Sequence, residues 1–295
     1  MKIILFSRAQ IAHTPEEIRQ LFDAIELFGF DYAVNEEFAP VVRQTAGIEL
    51  PPERVYGRHI GKQPAETVMV CYGGDGTLLE GVHRLCGAPV PVMGINAGHL
   101  GFLTSAPSAG LNLIFDDIAA GRITTEPRSL LRIEGDFAER PDSTLALNEF
   151  TVQRHGAGMI SVETYVDDQM VATYHGDGVI VSTPTGSTAY SLSVGGPIVA
   201  PMCECFIIAP IAPHNLTMRP MVIPDSSVVS FRVNSRALRS SVSLDNRSFD
   251  IPCGSEFTVR KAEKPIFLIN LQNISFYDTL RNKMMWGLDS WEGRK

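Results

Sequence analysis

The chain has 295 residues, 44% hydrophobic and 20% charged, which is the composition of a globular protein long enough for two domains at roughly 150 residues each. The net charge of -8 argues against a nucleic-acid partner, because proteins that bind a phosphate polymer usually carry an excess of Lys and Arg. No apolar run is long enough for a membrane helix, and the five cysteines lack metal-binding spacing, so we expect no membrane partner and a cytoplasmic protein with reduced thiols.

Strand and helix signals alternate over the first 125 residues. A continuous apolar run at 2–6 predicts a buried parallel strand. Thr14, Pro15 and Glu17 then have the spacing of an N-cap, a first-turn proline and a capping-box acid at a helix start. Further strands are predicted at 30–34, 67–72 and 90–95, and further helices at 78–85 and 111–118. This alternation predicts an α/β domain with an open, mostly parallel sheet.

The hydrophobic period changes after about Arg128. Apolar and polar residues alternate over 160–166, and Asp167-Asp168 suits a hairpin turn. Short strand candidates follow at 179–181, 228–233, 242–244 and 257–259. We therefore predict an α/β domain over residues 1–125 and a mostly-β C-terminal domain over 126–274. The tail over 275–295 should form a C-terminal helix that returns to the first domain.

Gly73-Gly74-Asp75-Gly76-Thr77 lies between a predicted strand and a predicted helix. Glycines let the backbone approach a phosphate, and a helix start offers unpaired N–H groups and the positive end of its dipole. An acid within such a loop makes sense if Asp75 faces a hydroxyl or a Mg²⁺ ion. The alternative is a plain strand-to-helix turn with a capping Asp. The chain has neither a complete P-loop motif nor a GxGxxG fingerprint.

A second block rich in small hydroxyl residues runs from Gly176 to Ser193, and Gly195-Gly196-Pro197 closes it. Small residues allow a flat base or a ribose to lie against the backbone, while Ser and Thr supply hydrogen bonds. Asn148-Glu149 offers a paired amide and carboxylate that suit ribose hydroxyls. Taken singly, the block could also be a polar turn, and an Asn-Glu pair is common.

Together these blocks resemble the ATP-NAD kinase family over nearly the whole chain. The likeness includes Gly94 to Leu103 and is most specific over Asp177 to Pro197. The first glycine motif alone is shared with diacylglycerol kinases, sphingosine kinases and phosphofructokinases. The order and spacing of all the blocks favour the ATP-NAD kinase family.

The resemblance implies transfer of the ATP γ-phosphoryl group to the 2′-hydroxyl of the adenosine ribose of NAD, giving NADP. It implies Asp75 as the general base, Mg²⁺ or another divalent cation as cofactor, and a homodimer or homotetramer. The residues that it assigns to the ATP phosphates are Gly73, Gly74, Gly76 and Thr77. The residues that it assigns to NAD are Asp75, Gly76, Asn148, Glu149, His175, Asp177, Thr188, Ala189, Tyr190, Ser191, Leu192, Ser193 and Arg247.

One departure from the family pattern concerns Asp245-Asn246-Arg247, where many members carry Asp-Gly-Gln. If that Gln contacts NAD, Arg247 would change the contact to a charge-assisted one with phosphate. Three alternatives stay open: a related lipid or sugar-phosphate kinase, a non-catalytic dinucleotide sensor, and inorganic polyphosphate in place of ATP. The sequence does not decide whether NADH is also accepted.

Overall fold

The computed structural model describes residues 1–11, 13–96, 101–104, 106–107, 110–139, 141–235, 239–271 and 275–286. The chain divides into two compact units. Unit 1 comprises Met1–Glu126 with Ile266–Lys295, and unit 2 comprises Pro127–Pro265. Unit 1 is an α/β structure and unit 2 is mostly β, which confirms the predicted fold class.

Unit 1 is built on an eight-stranded sheet. Its strands are β1 (Lys2–Phe6), β2 (Asp31–Asn35), β3 (Val55–Tyr56), β4 (Thr67–Tyr72), β5 (Val92–Asn96), β6 (Ala106–Pro107), β7 (Ile123–Arg128) and β20 (Ile266–Leu271). The spatial order is β3-β2-β1-β4-β5-β20-β7, with β6 also paired to β5. The pairs from β3 across to β20 are parallel, so the carboxyl ends of β1, β4 and β5 meet at one edge.

Helices cover the sheet of unit 1. They are α1 (Pro15–Leu27), α2 (Ala39–Val41), α3 (Asp75–Leu85), α4 (Leu111–Ala119) and α6 (Phe276–Met284), with a π-helical turn at Val42–Ala46 and a 3-10 turn at Pro52–Arg54. The predicted capping box of α1 is confirmed, since Thr14 and Glu17 bond each other's backbone N–H groups. The tail helix α6 belongs to unit 1 as predicted, and Lys283 lies 5.0 Å above the Phe102 ring.

Strand β20 does not follow the sequence expectation. The predicted mostly-β domain ran over 126–274, yet β20 pairs in parallel with β5 in the sheet of unit 1. Its apolar run is buried at Ile266, Leu268 and Ile269. A short apolar run of this kind suits a strand in either unit, and only its neighbours decide which sheet it joins.

Unit 2 contains two six-stranded sheets whose pairs are antiparallel. One sheet has the order β15-β14-β13-β10-β17-β18 and the other β12-β11-β16-β19-β8-β9. The strands are β8 (Leu131–Gly135), β9 (Leu145–Ala146), β10 (Glu149–Arg154), β11 (Ile160–Val166), β12 (Gln169–Gly176), β13 (Gly178–Ser182), β14 (Cys205–Ile211), β15 (Met221–Pro224), β16 (Val229–Ser235), β17 (Arg239–Leu244), β18 (Arg247–Pro252) and β19 (Glu256–Lys261).

The two sheets of unit 2 share one apolar core. Phe150 of one sheet lies 5.5 Å from Phe257 and 6.1 Å from Phe231 of the other, ring centre to ring centre. The predicted Asp167-Asp168 hairpin is confirmed, because both residues have positive φ between the paired strands β11 and β12. A 3-10 turn at Thr185–Thr188 and the short helix α5 (Tyr190–Ser193) follow β13.

A search of the described helices for one long and apolar enough to cross a membrane finds none. None of the five cysteines forms a disulfide, and Cys71 is buried.

A substitution at Gly81 tests the packing of α3 on β4. A Cβ at Gly81 would overlap Cys71 Sγ and lie 3.4 Å from Phe6 Cδ1. Gly81→Ala would stabilise an exposed helix by about 1 kcal/mol, but here we expect it to lower the free energy of unfolding by about 1–3 kcal/mol. Adding Cys71→Ala removes the sulfur and should recover part of the loss.

The measurement is urea denaturation of the wild type, both single variants and the double variant, followed by circular dichroism. The coupling between the two sites should be about 0.5–3 kcal/mol. Additive effects of the two substitutions would contradict the packing conflict.

Candidate active site

The glycine loop forms the first turn of α3 at the carboxyl edge of the unit 1 sheet. Gly73 has φ +149, and a Cβ there would lie 2.5 Å from Thr77 Oγ1 and 2.7 Å from Ile11 Cδ1. Only glycine fits this position. The Thr77 N–H donates to the Gly74 carbonyl at 2.8 Å, which closes the turn. Gly73, Gly74, Asp75, Gly76 and Thr77 therefore form one local structure, with a helix start that can bind an anion.

The Asp75 carboxylate accepts four hydrogen bonds from one neighbouring loop. Oδ2 accepts the Phe102 N–H at 2.8 Å, and Oδ1 accepts the Leu103 and Thr104 N–H groups at 3.2 and 3.1 Å and the Thr104 hydroxyl at 3.1 Å. A Cβ at Gly101 would overlap Asp75 Oδ1. The motif from Gly94 to Leu103 thus supplies hydrogen-bond donors to Asp75 of the glycine loop. Residues 97–100 of that motif, including Gly98 and His99, lie outside the described residues.

Arg8 is a residue of this edge that the sequence reasoning missed. Its Nη2 donates to the Gly76 carbonyl at 2.6 Å and its Nε to Glu80 Oε2 at 2.8 Å. Its Nη1 would lie 3.3 Å from a Cβ at Gly76. The available signal was its position two residues after β1, because β1 and β4 are parallel neighbours whose carboxyl ends adjoin. Arg8 places a positive charge beside the glycine loop.

A buried polar cluster supports the same edge. The Ser7 hydroxyl donates to the Tyr72 carbonyl at 2.7 Å and lies 2.9 Å from His13 Nε2. His13 stacks on the Tyr72 ring with a centroid separation of 4.8 Å. Burial lowers the pKa of His13. Because the Ser7 hydroxyl donates to the Tyr72 carbonyl, the Ser7 oxygen can accept a hydrogen bond from Nε2 of the His13 ring. This cluster fixes the end of β4 directly before the glycine loop.

In unit 2, Asn148 and Glu149 lie at the start of β10 and are more than nine-tenths buried. Among the described residues, Asn148 Oδ1 and Glu149 Oε2 have no hydrogen-bond partner. Burial, with a smaller effect of Asp245, raises the pKa of Glu149 to about 8. Unsatisfied buried polar atoms cost free energy, which a ligand with hydroxyl or amide groups would recover.

The turn after β13 packs against the backbone of these two residues. The Thr183 hydroxyl donates to the Leu147 carbonyl at 2.6 Å, and the Thr183 N–H donates to the Asn148 carbonyl at 2.9 Å. A Cβ at Gly186 would overlap the Asn148 carbonyl oxygen. The structure therefore brings Asn148-Glu149 and the small-residue block together, as the sequence patterns suggested.

The other predicted residues of this block differ in exposure. Tyr190 is exposed and its hydroxyl lies 3.3 Å from Gln153 Nε2, whereas Ser191 is buried and its Oγ has no partner among the described residues. Burial, then Asp177 and Glu149, raise the pKa of Tyr190, which indicates that both acids are near. Thr188, Ala189 and Leu192 are half-buried, and Ser193 is exposed.

Two predicted residues are engaged in the protein itself. Asp177 forms an ion pair with Arg154, with Nε and Oδ1 2.6 Å apart, and the sequence reasoning missed that partner. Arg247, expected to contact NAD phosphate, donates from Nη1 to the Ser143 carbonyl at 2.7 Å and from Nη2 to the Leu145 carbonyl at 2.6 Å.

The predicted site residue His175 is exposed on β12, and its backbone carbonyl accepts the His214 N–H at 2.8 Å.

Comparison with known proteins identifies relatives of the whole chain. Residues 42–123 match the ATP-NAD kinase N-terminal domain, and residues 147–271 match the ATP-NAD kinase C-terminal domain. The chain is 41% identical to the NAD kinase of Porphyromonas gingivalis over 295 aligned residues, covering 97% of this chain and 98% of that protein. It is 42% identical to the NAD kinase of Cytophaga hutchinsonii over 224 residues, which cover 76% and 77% of the two chains.

Two solved structures share the fold. The crystal structure of yeast NADH kinase complexed with NADH has a TM-score of 0.82 at 23% identity, over 98% of this chain and 88% of that one. The NAD kinase from Archaeoglobus fulgidus in complex with ATP has a TM-score of 0.73 at 26% identity, over 97% and 99% of the two chains. The first supports the fold alone.

The buried Glu149 carboxyl predicts a pH dependence of stability. The folded chain holds its proton up to about pH 8, whereas the unfolded chain releases it near 4.5, so stability should fall as the pH rises between these values. The slope from one proton is at most about 1.4 kcal/mol per pH unit. Glu149→Gln should flatten the slope, measured by urea denaturation at several pH values. The exposed Glu66→Gln serves as control, and equal slopes in wild type and Glu149→Gln would contradict the prediction.

Proposed function

This chain belongs to the ATP-NAD kinase family, and from that premise we propose which of its residues carry out the reaction. The chain is a phosphotransferase that phosphorylates NAD to NADP at the expense of ATP. NADP carries its extra phosphate on a ribose 2′-hydroxyl, so that hydroxyl is the nucleophile. The observation that carries the proposal is an acid, Asp75, within a glycine loop at a helix start.

Asp75 acts as the general base that takes the proton of the 2′-hydroxyl. A carboxylate within hydrogen-bond reach of an attacking oxygen suits this role. Oδ1 accepts three hydrogen bonds, from the Leu103 and Thr104 N–H groups and the Thr104 hydroxyl, whereas among the described residues Oδ2 accepts only the Phe102 N–H. A carboxylate oxygen has two lone pairs, so Oδ2 is the atom that we expect to take the proton of the substrate hydroxyl.

Gly73, Gly74, Gly76 and Thr77 bind the ATP phosphates. The N–H groups of the first turn of α3 and the positive end of its dipole favour an anion there. The missing side chain at Gly74 leaves open space around the backbone, since no atom of the described residues lies within 4 Å of an added Cβ. Catalysis of phosphoryl transfer rests mainly on such positioning and on neutralising charge.

A divalent cation, Mg²⁺ in the first place, fits this loop as a companion of ATP. The described residues hold no group of three or more His, Cys, Asp and Glu side chains that could bind a metal by themselves. Mg²⁺ needs few protein ligands beside phosphate oxygens and water, and the glycine loop offers one carboxylate, Asp75. When bound, the ion would neutralise charge on the transferred phosphoryl group.

In unit 1 the residues proposed to bind NAD are Asp75 and Gly76. Asn148 and Glu149 bond ribose and base groups, for which their unpartnered buried oxygens are the support. Thr188 to Ser193 hold the adenine end, with Ser191 Oγ as a buried polar atom awaiting a partner. His175 and Asp177 remain proposed members of this site, whereas Arg247 donates to the Ser143 and Leu145 carbonyls.

The assembly proposed for the chain is a homodimer or homotetramer in the cytoplasm. Unit 2 exposes large apolar side chains on several strands and loops, namely Met170, Val171, Leu216 and Val222. Such surface is common at subunit interfaces. Five cysteines without a disulfide suit a reducing compartment.

Light scattering coupled to gel filtration tests the assembly. The expected mass is two or four times the 32.3 kDa of one chain. A mass of one chain at micromolar concentration would overturn the oligomer.

Asp75→Asn tests the catalytic proposal. We expect kcat for NADP formation from NAD and ATP to fall by about 10²–10⁴, because general base catalysis contributes about that factor. Binding of NAD, measured by calorimetry, should change little. Asp116→Asn on the exposed side of α4 is the matched control.

A second variant separates base catalysis from loop structure. Thr104→Val removes one donor to Asp75 and the acceptor of the Gly101 N–H but keeps the carboxylate, so its loss of kcat should be far smaller than that of Asp75→Asn. Equal losses would assign Asp75 a purely structural role. A folded wild type that makes no NADP from ATP would direct the assay first to polyphosphate as donor and then to the sensor alternative.

A further inference from the structure

The hairpin turn between β17 and β18 is hydrogen-bonded to the chain segment that carries Asn148 and Glu149. Asp245 occupies the turn with φ +52, and its N–H donates to the Glu149 carbonyl at 2.9 Å. This bond lies beside the pairing of Phe150 with Leu244 and extends it to the start of β10. The turn is thus in contact with the proposed NAD residues through the backbone.

The Asp245 carboxylate accepts three consecutive backbone N–H groups. Oδ2 accepts that of Leu147 at 2.9 Å, and Oδ1 accepts those of Asn148 at 2.7 Å and Glu149 at 3.2 Å. A carboxylate that accepts several converging N–H groups restrains the backbone that carries those groups. Burial raises the pKa of Asp245, while the three N–H groups and Arg247 oppose that effect.

Arg247 holds the same segment further upstream. Its Nη1 and Nη2 donate to the Ser143 and Leu145 carbonyls at 2.7 and 2.6 Å. The acid therefore binds the amides of 147–149, and the guanidinium binds the carbonyls that precede them. Five hydrogen bonds from two side chains span the segment from 143 to 149.

The side chains of Asn148 and Glu149 depend on this backbone for their direction. Within the described part of the chain, nothing bonds Asn148 Oδ1 or Glu149 Oε2. The orientation of both side chains is therefore set by the backbone on either side of them, so a shift of the segment 143–149 would reorient both.

We propose that Asp245 and Arg247 are positioning residues for NAD binding, which act by fixing the backbone of 143–149, and that Arg247 does not bind the NAD phosphates. This inference rests on the proposed binding of NAD by Asn148 and Glu149. It replaces the direct phosphate contact expected of Arg247 from the sequence. Asp245 becomes a functional residue that does not contact the substrate.

The test compares NAD with its two phosphate-free halves, adenosine and nicotinamide riboside, as ligands in calorimetry. Asn148→Ala first identifies which nucleoside depends on Asn148. Arg247→Lys keeps the charge but loses the forked pair of hydrogen bonds, and Asp245→Asn keeps the shape but loses acceptor capacity. We expect each to weaken NAD and that same nucleoside alike, by roughly tenfold, from one or two lost hydrogen bonds.

Steady-state kinetics adds a readout that a loss of stability would not move. The KM for NAD should rise in Arg247→Lys and Asp245→Asn while the KM for ATP stays constant. Arg239→Lys, an exposed Arg at the start of β17 that pairs with Asp250, should leave both values unchanged. Thermal unfolding checks that each variant is folded, and Arg247→Lys carries the test if Asp245→Asn is not.

Two outcomes overturn the inference. Variants of Arg247 that weaken NAD but neither nucleoside would show a phosphate contact. Variants of both residues that bind NAD normally would show that the turn has no role in binding. Failure of the underlying proposal is distinct, because Asn148→Ala would then leave NAD and both nucleosides unaffected.

Discussion

The carboxylate of Asp75 is the point at which the carboxyl edge of the unit 1 sheet is held together. It joins the first turn of α3 to the loop from Gly101 to Thr104, because all four of its hydrogen bonds come from that loop. Gly73 and Gly101 are required by the same geometry, since a side chain at either would strike the turn or the carboxylate. The atoms that stabilise this edge are thus the atoms proposed to do the chemistry, so any substitution there changes both.

An acidic chain that handles ATP needs positive charge close to the phosphates. The net charge of -8 gives no general attraction for a triphosphate. The local sources are the helix dipole of α3 and Arg8, which is held beside Gly76 by Glu80. Arg8 is partly neutralised by that acid, which supports the proposal of a divalent cation with ATP.

In unit 2, unlike at Asp75 of unit 1, polar groups proposed to bind the substrate are buried without hydrogen-bond partners among the described residues. The apolar core between its sheets holds the strands, and the buried polar atoms without a partner among the described residues include Asn148 Oδ1, Glu149 Oε2 and Ser191 Oγ. A protonated Glu149 can donate a hydrogen bond that a carboxylate cannot, which widens the choice of ligand groups it can meet. Burying these groups without a hydrogen-bond partner costs free energy, and hydrogen bonds to a bound dinucleotide would recover it.

Features that depend on neighbours along the chain could be predicted from the amino-acid sequence. These are the strand and helix pattern of unit 1, the capping box at Thr14, the hairpin at Asp167-Asp168 and the glycine loop before α3. Short-range sterics and hydrogen bonds decide such features, so periodicity and residue type suffice to predict them.

Contacts between groups far apart in the chain could not be predicted in this way. Asp75 finds its donors 27 to 29 residues away, Arg8 reaches Gly76 across 68, and Asp245 reaches Leu147 across 98. The sheet that takes Ile266–Leu271 was settled in the same way, by a partner strand far back in the chain. No local pattern encodes these partners, because each contact exists only once the strands have paired and brought their ends to one edge.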